Sequence, residues 1–422
     1  MDKNSDLTTY DVIVIGAGAS GLFYAACDSL TGTLDPGHQR KLILEKTEKV
    51  GQKLLMSGNG MCNITHGGSI KDFVDRYGEH GRAVRSCIYR HNNLELMKTM
   101  EKLDVPVIER EDGKVFPASM KAKDVLDALL AGVRKGGWEI RYGAEVVGLR
   151  SVPESTSSGE CLSVLVLSDG TTLCSRKLVV ACGGSSYPST GSDGTFLKVM
   201  EHDLGLNVVE PRPALTPVYV QDFNFDGIAG VSFANVALRC GKHMTRGPML
   251  ITHKGFSGPA VLHISQYVKT GDTLLINFIP QISPDDVLAK IKEDAPGNKT
   301  GVGNYIAASF GLPRSFVDLV VEHPERKLCQ INSGELAHIA AMLTSCSFSV
   351  SGTGGWSDAM VTAGGVALDQ IDMKTMRIKT RDAGAVNASP DIRIIGETLD
   401  VNGDTGGYNL QFAYSSAMAA VE

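Results

Sequence analysis

The sequence predicts an α/β fold in which a Rossmann-like nucleotide-binding domain is interrupted by a β-rich insertion. Three observations support this prediction. A strand, a glycine-rich loop and a helix follow one another near the N-terminus, the central stretch separates its apolar runs with Pro, Gly and Asp, and buried-strand character returns at Ile392–Ile395. Because a strand buried on both faces reads as a continuous apolar run, the last stretch is expected to complete the N-terminal sheet.

The first element is a βα unit with the glycine pattern of a dinucleotide-binding site. The apolar strand Asp11–Ile15 runs directly into the loop Gly16-Ala17-Gly18-Ala19-Ser20-Gly21, and the helix-forming stretch Leu22–Leu30 follows. In such a unit the first glycine permits a tight turn, the second lets a pyrophosphate approach the backbone, and the third lets the helix pack on the strand. The pattern predicts a phosphate-binding loop.

The second strand, Lys41–Glu45, ends in an acid where the unit needs one. A carboxylate at this place binds a ribose hydroxyl, usually about 20 residues after the loop. Glu45 lies 29 residues after Gly16, so the connection between helix and strand is predicted to be longer than usual.

Further helices and strands extend this domain to about residue 206. Apolar spacings of three and four residues predict helices, and apolar or alternating runs predict strands. The predicted helices are 93–103 and 121–135, and the predicted strands are 138–142, 161–167 and 178–182. Asp169-Gly170 predicts a hairpin turn, and Gly183-Gly184 follows the last strand.

The middle of the chain is predicted to form an insertion with two parts. Strand-like runs at 208–220 and 231–240 predict a β-rich domain made of residues 207–281 and 345–352. Ser283 and Pro284 suit a helix N-cap and first helical position, and helical patterns follow at 315–323 and 334–344. Residues 282–344 are therefore predicted to be a helical subdomain. Residues 1–206 and 353–422 form the predicted nucleotide-binding domain, which ends in a helix at 411–420.

Composition indicates where the protein lies in the cell and whether it carries disulfides or a metal site. The 422 residues are 43% hydrophobic, no apolar run reaches the ~18 residues of a membrane helix, and Met1–Tyr10 lacks the apolar core of a signal peptide. We therefore expect a cytoplasmic protein with no membrane partner. The nine cysteines include no C-x-x-C pair, which favours reduced thiols and no metal site.

The net charge bears on whether the protein binds nucleic acid. The net charge of −6 carries no electrostatic signature of nucleic-acid binding, so no nucleic acid is expected. Lys and Arg outside the motifs are interpreted as solvated faces. A small-molecule substrate is expected instead, and the oligomeric state is not predicted.

The segment after Glu45 bears on the choice between FAD and NAD, which a lone G-x-G-x-x-G leaves open. No second such loop follows a strand later in the chain, which argues against a built-in NAD(P)H domain. In two-domain flavoproteins this segment, here Val50–Thr65, runs past the pyrophosphate toward the flavin ring. Gly58 and Gly60 allow close backbone approach, and Lys53 offsets phosphate charge.

The same segment carries a specific resemblance. The sequence GQKLLMSGNGMCN at 51–63 resembles the G-K-K-L-L-x-S-G-x-G-R-C-N signature of the BaiN/YhiN-like family, also called the aminoacetone-oxidase-like family of FAD-dependent oxidoreductases. Gln52, Met61 and His66 depart from its usual Lys, Arg and Asn. Four further blocks agree in order: GGSSYP at 183–188, THKGFSGP at 252–259, VTAGGV at 361–366 and GETLDVNGDTGGYNLQ at 396–411.

The resemblance implies a discontinuous FAD-binding domain, interrupted by a β-barrel-like domain that contains the helical subdomain. It implies that Val146 and Ala181 flank the adenosine half and that Glu397 and Asp400 lie near the ribityl chain or pyrophosphate. Together with the glycine loop, the predicted FAD-binding residues are Gly16, Ala17, Gly18, Ala19, Ser20, Gly21, Glu45, Lys46, Lys53, Ser57, Gly58, Asn59, Gly60, Cys62, Asn63, Val146, Ala181, Gly183, Gly184, Gly396, Glu397, Asp400, Gly407, Tyr408, Asn409 and Leu410.

Candidate catalytic residues come from the same blocks. His253 and Tyr187 are the candidate proton donors or substrate ligands, although a structural hydrogen-bonding role suits either equally. Cys62 has no second cysteine nearby, so dithiol chemistry is not expected and a packing role is favoured over a redox role.

The predicted function is hydride transfer by bound FAD, with NAD(P)H docking transiently to support reduction of an activated C=C bond in a small hydrophobic substrate. Two alternatives stay open. One is an FAD-dependent amine oxidase in which oxygen reoxidises the flavin. The other is a flavin-binding RNA-modification or sensor protein, against which the acidic pI counts.

Overall fold

The protein forms two compact units in a computed structural model that describes residues 8–32, 39–153, 161–221, 226–379 and 390–422. The first unit comprises Met1–Arg212 and Val361–Glu422, and the second comprises Pro213–Met360. The chain therefore leaves the first unit once and returns to it.

Strands and helices up to residue 214 build most of the first unit. The strands are β1 (Thr9–Ile15), β2 (Lys41–Leu44), β3 (Thr65–His66), β4 (Val107–Glu109), β5 (Lys114–Pro117), β6 (Glu139–Arg141), β7 (Val146–Pro153), β8 (Cys161–Leu167), β9 (Thr172–Val180) and β10 (Val208–Ala214). The helices are α1 (Ala19–Thr31), α2 (Gln52–Met56), α3 (Ile70–Phe73), α4 (Gly81–Arg90), α5 (Asn93–Lys102), α6 (Ala122–Lys135) and α7 (Thr195–Leu204).

The second unit and the return of the chain supply the remaining elements. In the second unit the strands are β11 (Val218–Val220), β12 (Ser232–Cys240), β13 (His243–Ile251), β14 (Gly255–Ser257), β15 (Thr273–Asn277) and β16 (Cys346–Thr353). Its helices are α8 (Pro259–Ser265), α9 (Pro284–Asp294), α10 (Val302–Phe310), α11 (Arg314–Val320) and α12 (Ser333–Thr344). The returning elements are β17 (Val361–Val366), β18 (Ile371–Asp372), β19 (Arg377–Ile378), β20 (Asp391–Ile394) and α13 (Tyr408–Val421).

A large sheet organises the first unit. Its strand order is β18-β19-β20-β9-β1-β2-β6, with β8 paired to β9 and β7 to β8. The pairs β20·β9, β9·β1, β1·β2 and β2·β6 are parallel. Because β20 comes from the C-terminal segment, the predicted completion of the N-terminal sheet is confirmed.

The core explains why the central strands read as uninterrupted apolar runs. All four residues of β2 are buried, and Ile13, Val14 and Leu22 have no measurable exposure. Helix α1 packs with Phe23 edge-on to Tyr414 of α13, with the ring centroids 5.6 Å apart. Burial on both faces favours apolar residues at every position of such a strand.

A buried ion pair joins α1 to the edge of this core. Lys41 Nζ lies 2.9 Å from Asp28 Oδ2, and each side chain is 1% exposed. Trp138 Nε1 donates to the same carboxylate oxygen at 3.1 Å. Lys41 therefore carries both its aliphatic stem and its charge inside the protein.

The second unit is a closed barrel with a helical part. The barrel order is β11-β14-β13-β12-β15-β16, and every pair is antiparallel. Phe233 of β12, Phe278 and Phe316 of α11 pack with ring centroids 4.4 to 5.0 Å apart. Barrel and helices therefore share one hydrophobic core.

Local signals account for several confirmed elements. Ser283 caps α9 by accepting a hydrogen bond from Asp286 N, and Asp169-Gly170 forms the turn between β8 and β9, with Gly170 at φ +85°. The predicted fold class is confirmed: a Rossmann-type domain and a six-stranded barrel with helices. Within the described residues, no helix combines the length and apolar character needed to cross a membrane.

Candidate functional site

The carboxyl ends of the parallel strands lie along one edge of the large sheet. Ile15 at the end of β1 pairs with Leu44 and Val180, and Val180 pairs with Ile394. Nucleotides bind at this edge in open α/β sheets because the loops that follow the strands gather there. The residues that follow these four strand ends are Gly16, Glu45, Ala181 and, one residue on, Gly396.

Two glycines of the loop are required by close backbone packing. Gly16 has φ +99°, and a Cβ there would lie 2.5 Å from the carbonyl oxygen of Ala181. A Cβ on Gly21 would overlap the carbonyl oxygen of Gly16. Any side chain at either position would force strand, loop and helix apart.

Gly18 differs from both, because the structure leaves its surroundings open. It is the N-cap of α1 in an extended conformation, with no capping side chain, and no heavy atom lies within 4 Å of an added Cβ. The first turn of α1, which includes Ala19, Ser20 and Gly21, contains no acid. Unpaired N–H groups and the positive end of the helix dipole therefore face a position that suits a phosphate.

Glu45 lies against the glycine loop. One carboxylate oxygen accepts from Ala17 N at 2.9 Å, and the other accepts from Thr47 N at 2.9 Å and Thr47 Oγ1 at 2.8 Å. The neighbouring Lys46 pairs with Asp193 at 2.7 Å. The loop and the predicted ribose-binding acid are thus held together as one rigid group.

The segment after Glu45 has an unusual backbone. Gly58, Asn59 and Gly60 have positive φ values of 56°, 56° and 81°, and all three are exposed. Ser57 Oγ donates to the carbonyl of Leu54 at 2.6 Å, which fixes the end of α2. A short, exposed left-handed turn suits close backbone approach to a flat ring.

Lys53 lies in a polar cluster instead of extending into solvent. Its Nζ donates to Glu397 Oε2 at 2.7 Å, to Ser186 Oγ at 2.7 Å and to Ser192 Oγ at 3.1 Å. The other oxygen of Glu397 accepts from Thr362 N at 2.7 Å. Two predicted cofactor residues, Lys53 and Glu397, are therefore brought together as an ion pair that joins four chain segments.

Thr362 and Thr398 extend this cluster, and the sequence prediction did not include either. Thr362 Oγ1 accepts from Ser185 N at 2.7 Å and Ser186 N at 3.1 Å, and Thr398 Oγ1 accepts from Gly183 N at 3.0 Å. Both threonines are fully buried. Their only sequence signal is that they lie in the blocks VTAGGV and GETLDV.

Gly183 and Gly184 give this cluster its shape. Gly183 has φ +72°, and a Cβ on Gly184 would overlap Thr362 Oγ1.

Asp400 accepts from Gly364 N at 2.9 Å and lies 3.7 Å from His80 Nε2. Val146 is buried in the core at the start of β7.

The C-terminal glycine pair opens α13 in the same way that Gly18 opens α1. Gly407 is the N-cap at φ +98°, no side chain caps the helix, and the first turn contains no acid. A Cβ on Gly407 would lie 2.5 Å from the Thr65 carbonyl oxygen. Asn63 accepts from Gly407 N at 3.1 Å and donates to the Thr65 and Val115 carbonyls when its amide is oriented to match these groups.

The first turn of α13 is held by its neighbours. The ring of Tyr408 stacks on His66, with centroids 5.4 Å apart, and Asn409 bonds to both backbone groups of Gly403. Leu410 packs on the core. Residues 63–66 and 403–410 are therefore brought together, although more than 300 residues separate them in sequence.

The three candidate reactive residues have different surroundings. Cys62 is buried, and burial raises the pKa of its thiol to about 11, so the thiol is neutral at physiological pH. Tyr187 has φ 54° and follows Ser186 of the polar cluster. His253, in the second unit, is exposed in the turn between β13 and β14.

The residues of the first unit fit FAD. The open space at Gly18 admits a pyrophosphate, Glu45 adjoins the loop for a ribose, and the uncapped start of α13 presents a positive dipole end. In flavoproteins a positive dipole end of this kind stabilises the negative charge that collects on a reduced flavin.

The chain is similar to several proteins of known family or fold. The family described as HI0933-like protein Rossmann domain matches residues 10–422. The ribosomal RNA dihydrouridine synthase of Escherichia coli is 30% identical over 98% of this chain and 97% of its own length. The 3-dehydro-bile acid delta(4,6)-reductase of Clostridium scindens is 26% identical over 96% of this chain and 97% of its own length. A 3-ketosteroid-Δ4-(5α)-dehydrogenase of Rhodococcus jostii shares the fold, with a TM-score of 0.52, 14% identity, and coverage of 100% of this chain and 98% of that one.

These relatives correct one prediction. A small-molecule substrate with no nucleic-acid partner is contradicted by the similarity to an enzyme whose substrate is ribosomal RNA. The prediction was based on the net charge of −6, which averages over the whole chain and so says nothing about one face of it.

The predicted family and the predicted FAD cofactor are confirmed. The chain belongs to the HI0933-like Rossmann-domain family, is an FAD-dependent oxidoreductase, and uses FAD as its cofactor.

Proposed function

We propose that this protein reduces a uridine of ribosomal RNA to dihydrouridine. The observation that carries this proposal is the 30% identity to the Escherichia coli ribosomal RNA dihydrouridine synthase, which extends over nearly the full length of both chains. The proposal places the protein in the class of RNA-modification enzymes, the alternative that its acidic composition had counted against.

The chemistry agrees with the predicted reduction of an activated C=C bond. The C5=C6 bond of uridine is conjugated to the C4 carbonyl, so C6 accepts a hydride and C5 takes a proton. The balance is uridine plus NAD(P)H plus H⁺ giving dihydrouridine plus NAD(P)⁺. When bound, FAD supplies the hydride carrier between the two.

Residues of the first unit bind FAD, the hydride carrier of this reaction. The loop Gly16–Gly21 binds the pyrophosphate, and Glu45 fixes the ribose. The pair Lys53–Glu397 joins α2 to β17 and to the segments that follow β9 and β20. Each of the two side chains is about three-quarters buried. The pair therefore fixes the positions of these segments and does not offer a solvent-exposed charge to a ligand.

Tyr187 is proposed as the proton donor to C5, and His253 is the second candidate. Tyr187→Phe removes only a hydroxyl and is expected to lower kcat about 10²-fold or more while FAD stays bound, the usual effect of losing a general acid. His253→Ala serves as the parallel variant. Measurement of kcat and of the FAD absorbance per chain decides between them, and full activity in both variants would leave neither residue as the donor.

The proposed function is tested in cells that lack the relative. An Escherichia coli strain deleted of its ribosomal RNA dihydrouridine synthase is complemented with this chain, and nucleosides from purified ribosomal RNA are analysed by mass spectrometry. We expect dihydrouridine to return, and to stay absent with an FAD-free variant. A folded, FAD-loaded protein that restores no dihydrouridine would reject the proposal. Peroxide formation from amines without NAD(P)H would point to an oxidase instead.

A further inference from the structure

Positive charge is concentrated in one part of the second unit. Residues 227–284 contain five Lys or Arg and a single acid, Asp272, whereas the whole chain contains 41 Lys or Arg and 47 acids. None of the five cations forms an ion pair among the residues that the structure describes. They are Arg239, Lys242, Arg246, Lys254 and Lys269.

Three of these cations project from one β-hairpin. In the β12·β13 pair, Arg239 lies opposite Met244 and Ala237 lies opposite Arg246, so the two arginines are diagonal neighbours on the outer face of the barrel. Lys242 lies in the turn between the strands. All three are exposed, and Arg246 is oriented by a hydrogen bond from Nε to Asn235 at 3.1 Å.

A pair of rings packs on the other face of this hairpin, where His243 is paired with the buried Cys240. The ring of His243 stacks on Tyr267, with centroids 3.9 Å apart and planes 5° apart. Lys269 follows Tyr267 and is exposed. One Asp272 oxygen accepts from Lys269 N at 2.8 Å and from Cys240 Sγ at 3.5 Å, so the single acid of the region is engaged within the fold.

We propose that this hairpin surface, defined as Arg239, Lys242 and Arg246, is the docking surface for ribosomal RNA. Arginine and lysine bind phosphates, so three exposed cations that form no ion pair among the described residues suit the phosphate backbone of an RNA. The proposal rests on the proposed function. It also explains how a protein of net charge −6 binds a polyanion, because the net charge is a sum over the whole chain and the cations of this hairpin are local.

The test removes the three hairpin charges together. The variant Arg239→Gln/Lys242→Gln/Arg246→Gln is compared with Lys71→Gln/Arg82→Gln/Arg85→Gln. The second variant removes the same charge from exposed positions of the first unit that form no ion pair among the described residues. Binding to unmodified Escherichia coli ribosomal RNA transcribed in vitro is measured over a range of KCl concentrations. FAD content and circular dichroism verify that both variants fold.

The hairpin variant is expected to bind at least about tenfold more weakly and to lower the slope of log K against log salt by about 2, the value for three lost phosphate contacts to unpaired RNA. Its KM for RNA rises while the rate at saturating RNA stays near that of the unaltered protein. The control variant keeps both the affinity and the slope.

The outcomes separate this proposal from the proposed function. If the unaltered protein modifies RNA and the two variants behave alike, the hairpin surface is not the docking site, while the function stands. If the unaltered protein neither binds nor modifies RNA, the proposed function itself fails.

Discussion

Replacing Gly18 with valine is expected to remove FAD from the protein and to leave its fold unchanged. Gly18 has φ −79° and ψ −171°, a conformation that valine adopts readily, and no atom lies within 4 Å of an added Cβ. The valine side chain therefore occupies only the open space in which we propose that the pyrophosphate binds. A loss of about 3 kcal/mol of binding energy would weaken FAD binding by about a hundredfold.

FAD binding is measured as the ratio of flavin to protein absorbance after purification. The thermal unfolding temperature of the FAD-free protein is measured as well, to check the fold. Gly355→Val is the matched control, because Gly355 is also open on its Cβ side but lies outside the proposed FAD site. Gly21→Val gives the opposite contrast: its Cβ would overlap the Gly16 carbonyl oxygen, so the FAD-free protein itself should be destabilised. Normal flavin content in Gly18→Val would show that the pyrophosphate lies elsewhere.

The contrast between Gly18 and Gly21 also shows what the sequence made predictable. The roles of Gly18 and Gly21 follow from local chemistry, since strand, turn and helix are adjacent in the chain, whereas Gly16 is also constrained by the Ala181 carbonyl of a distant segment. The same holds for the Ser283 cap, whose partner Asp286 lies three residues on. Short-range geometry of this kind is encoded by residue type and spacing.

The Lys53–Glu397 pair shows why other parts of the site could not be predicted. Its partners are 344 residues apart, and no spacing or periodicity connects them. The resemblance placed each residue near FAD separately, but only the folded sheet edge reveals that one carboxylate neutralises the lysine. The buried Thr362 was overlooked for the same reason, because its role depends on backbone N–H groups from a different segment.

The net charge also led to a wrong prediction, because a sum over the chain does not say where the charges lie. The net charge of −6 hid the cations of the β12–β13 hairpin. It likewise gave no sign that Lys41 is buried, because a lysine at the start of a predicted strand normally lies at the surface. The partner prediction is corrected by the similarity to a ribosomal RNA enzyme, whereas the burial of Lys41 is seen only in the fold.

Lys41 leads to a second prediction with a large expected effect, this time on stability. Lys41→Met should lower the free energy of unfolding by about 3–5 kcal/mol, because it leaves the Asp28 carboxylate charged inside the core. Among the residues that the structure describes, only Trp138 Nε1 would still donate to that oxygen, and Asp28 Oδ1 already has no hydrogen-bond partner. Methionine keeps most of the volume of the lysine stem, so the loss reflects charge and not a cavity.

Trp138 reports on this region directly, since the chain has only two tryptophans. In a Trp356→Phe background, urea unfolding followed by Trp138 fluorescence gives the stability of the first unit alone. The double variant Asp28→Asn/Lys41→Met should recover at least half of the lost free energy, because it removes the orphaned charge and keeps an acceptor for the indole N–H. If Lys41→Met costs less than about 1 kcal/mol, the carboxylate must reach water or another cation, and the ion pair is then not a determinant of stability.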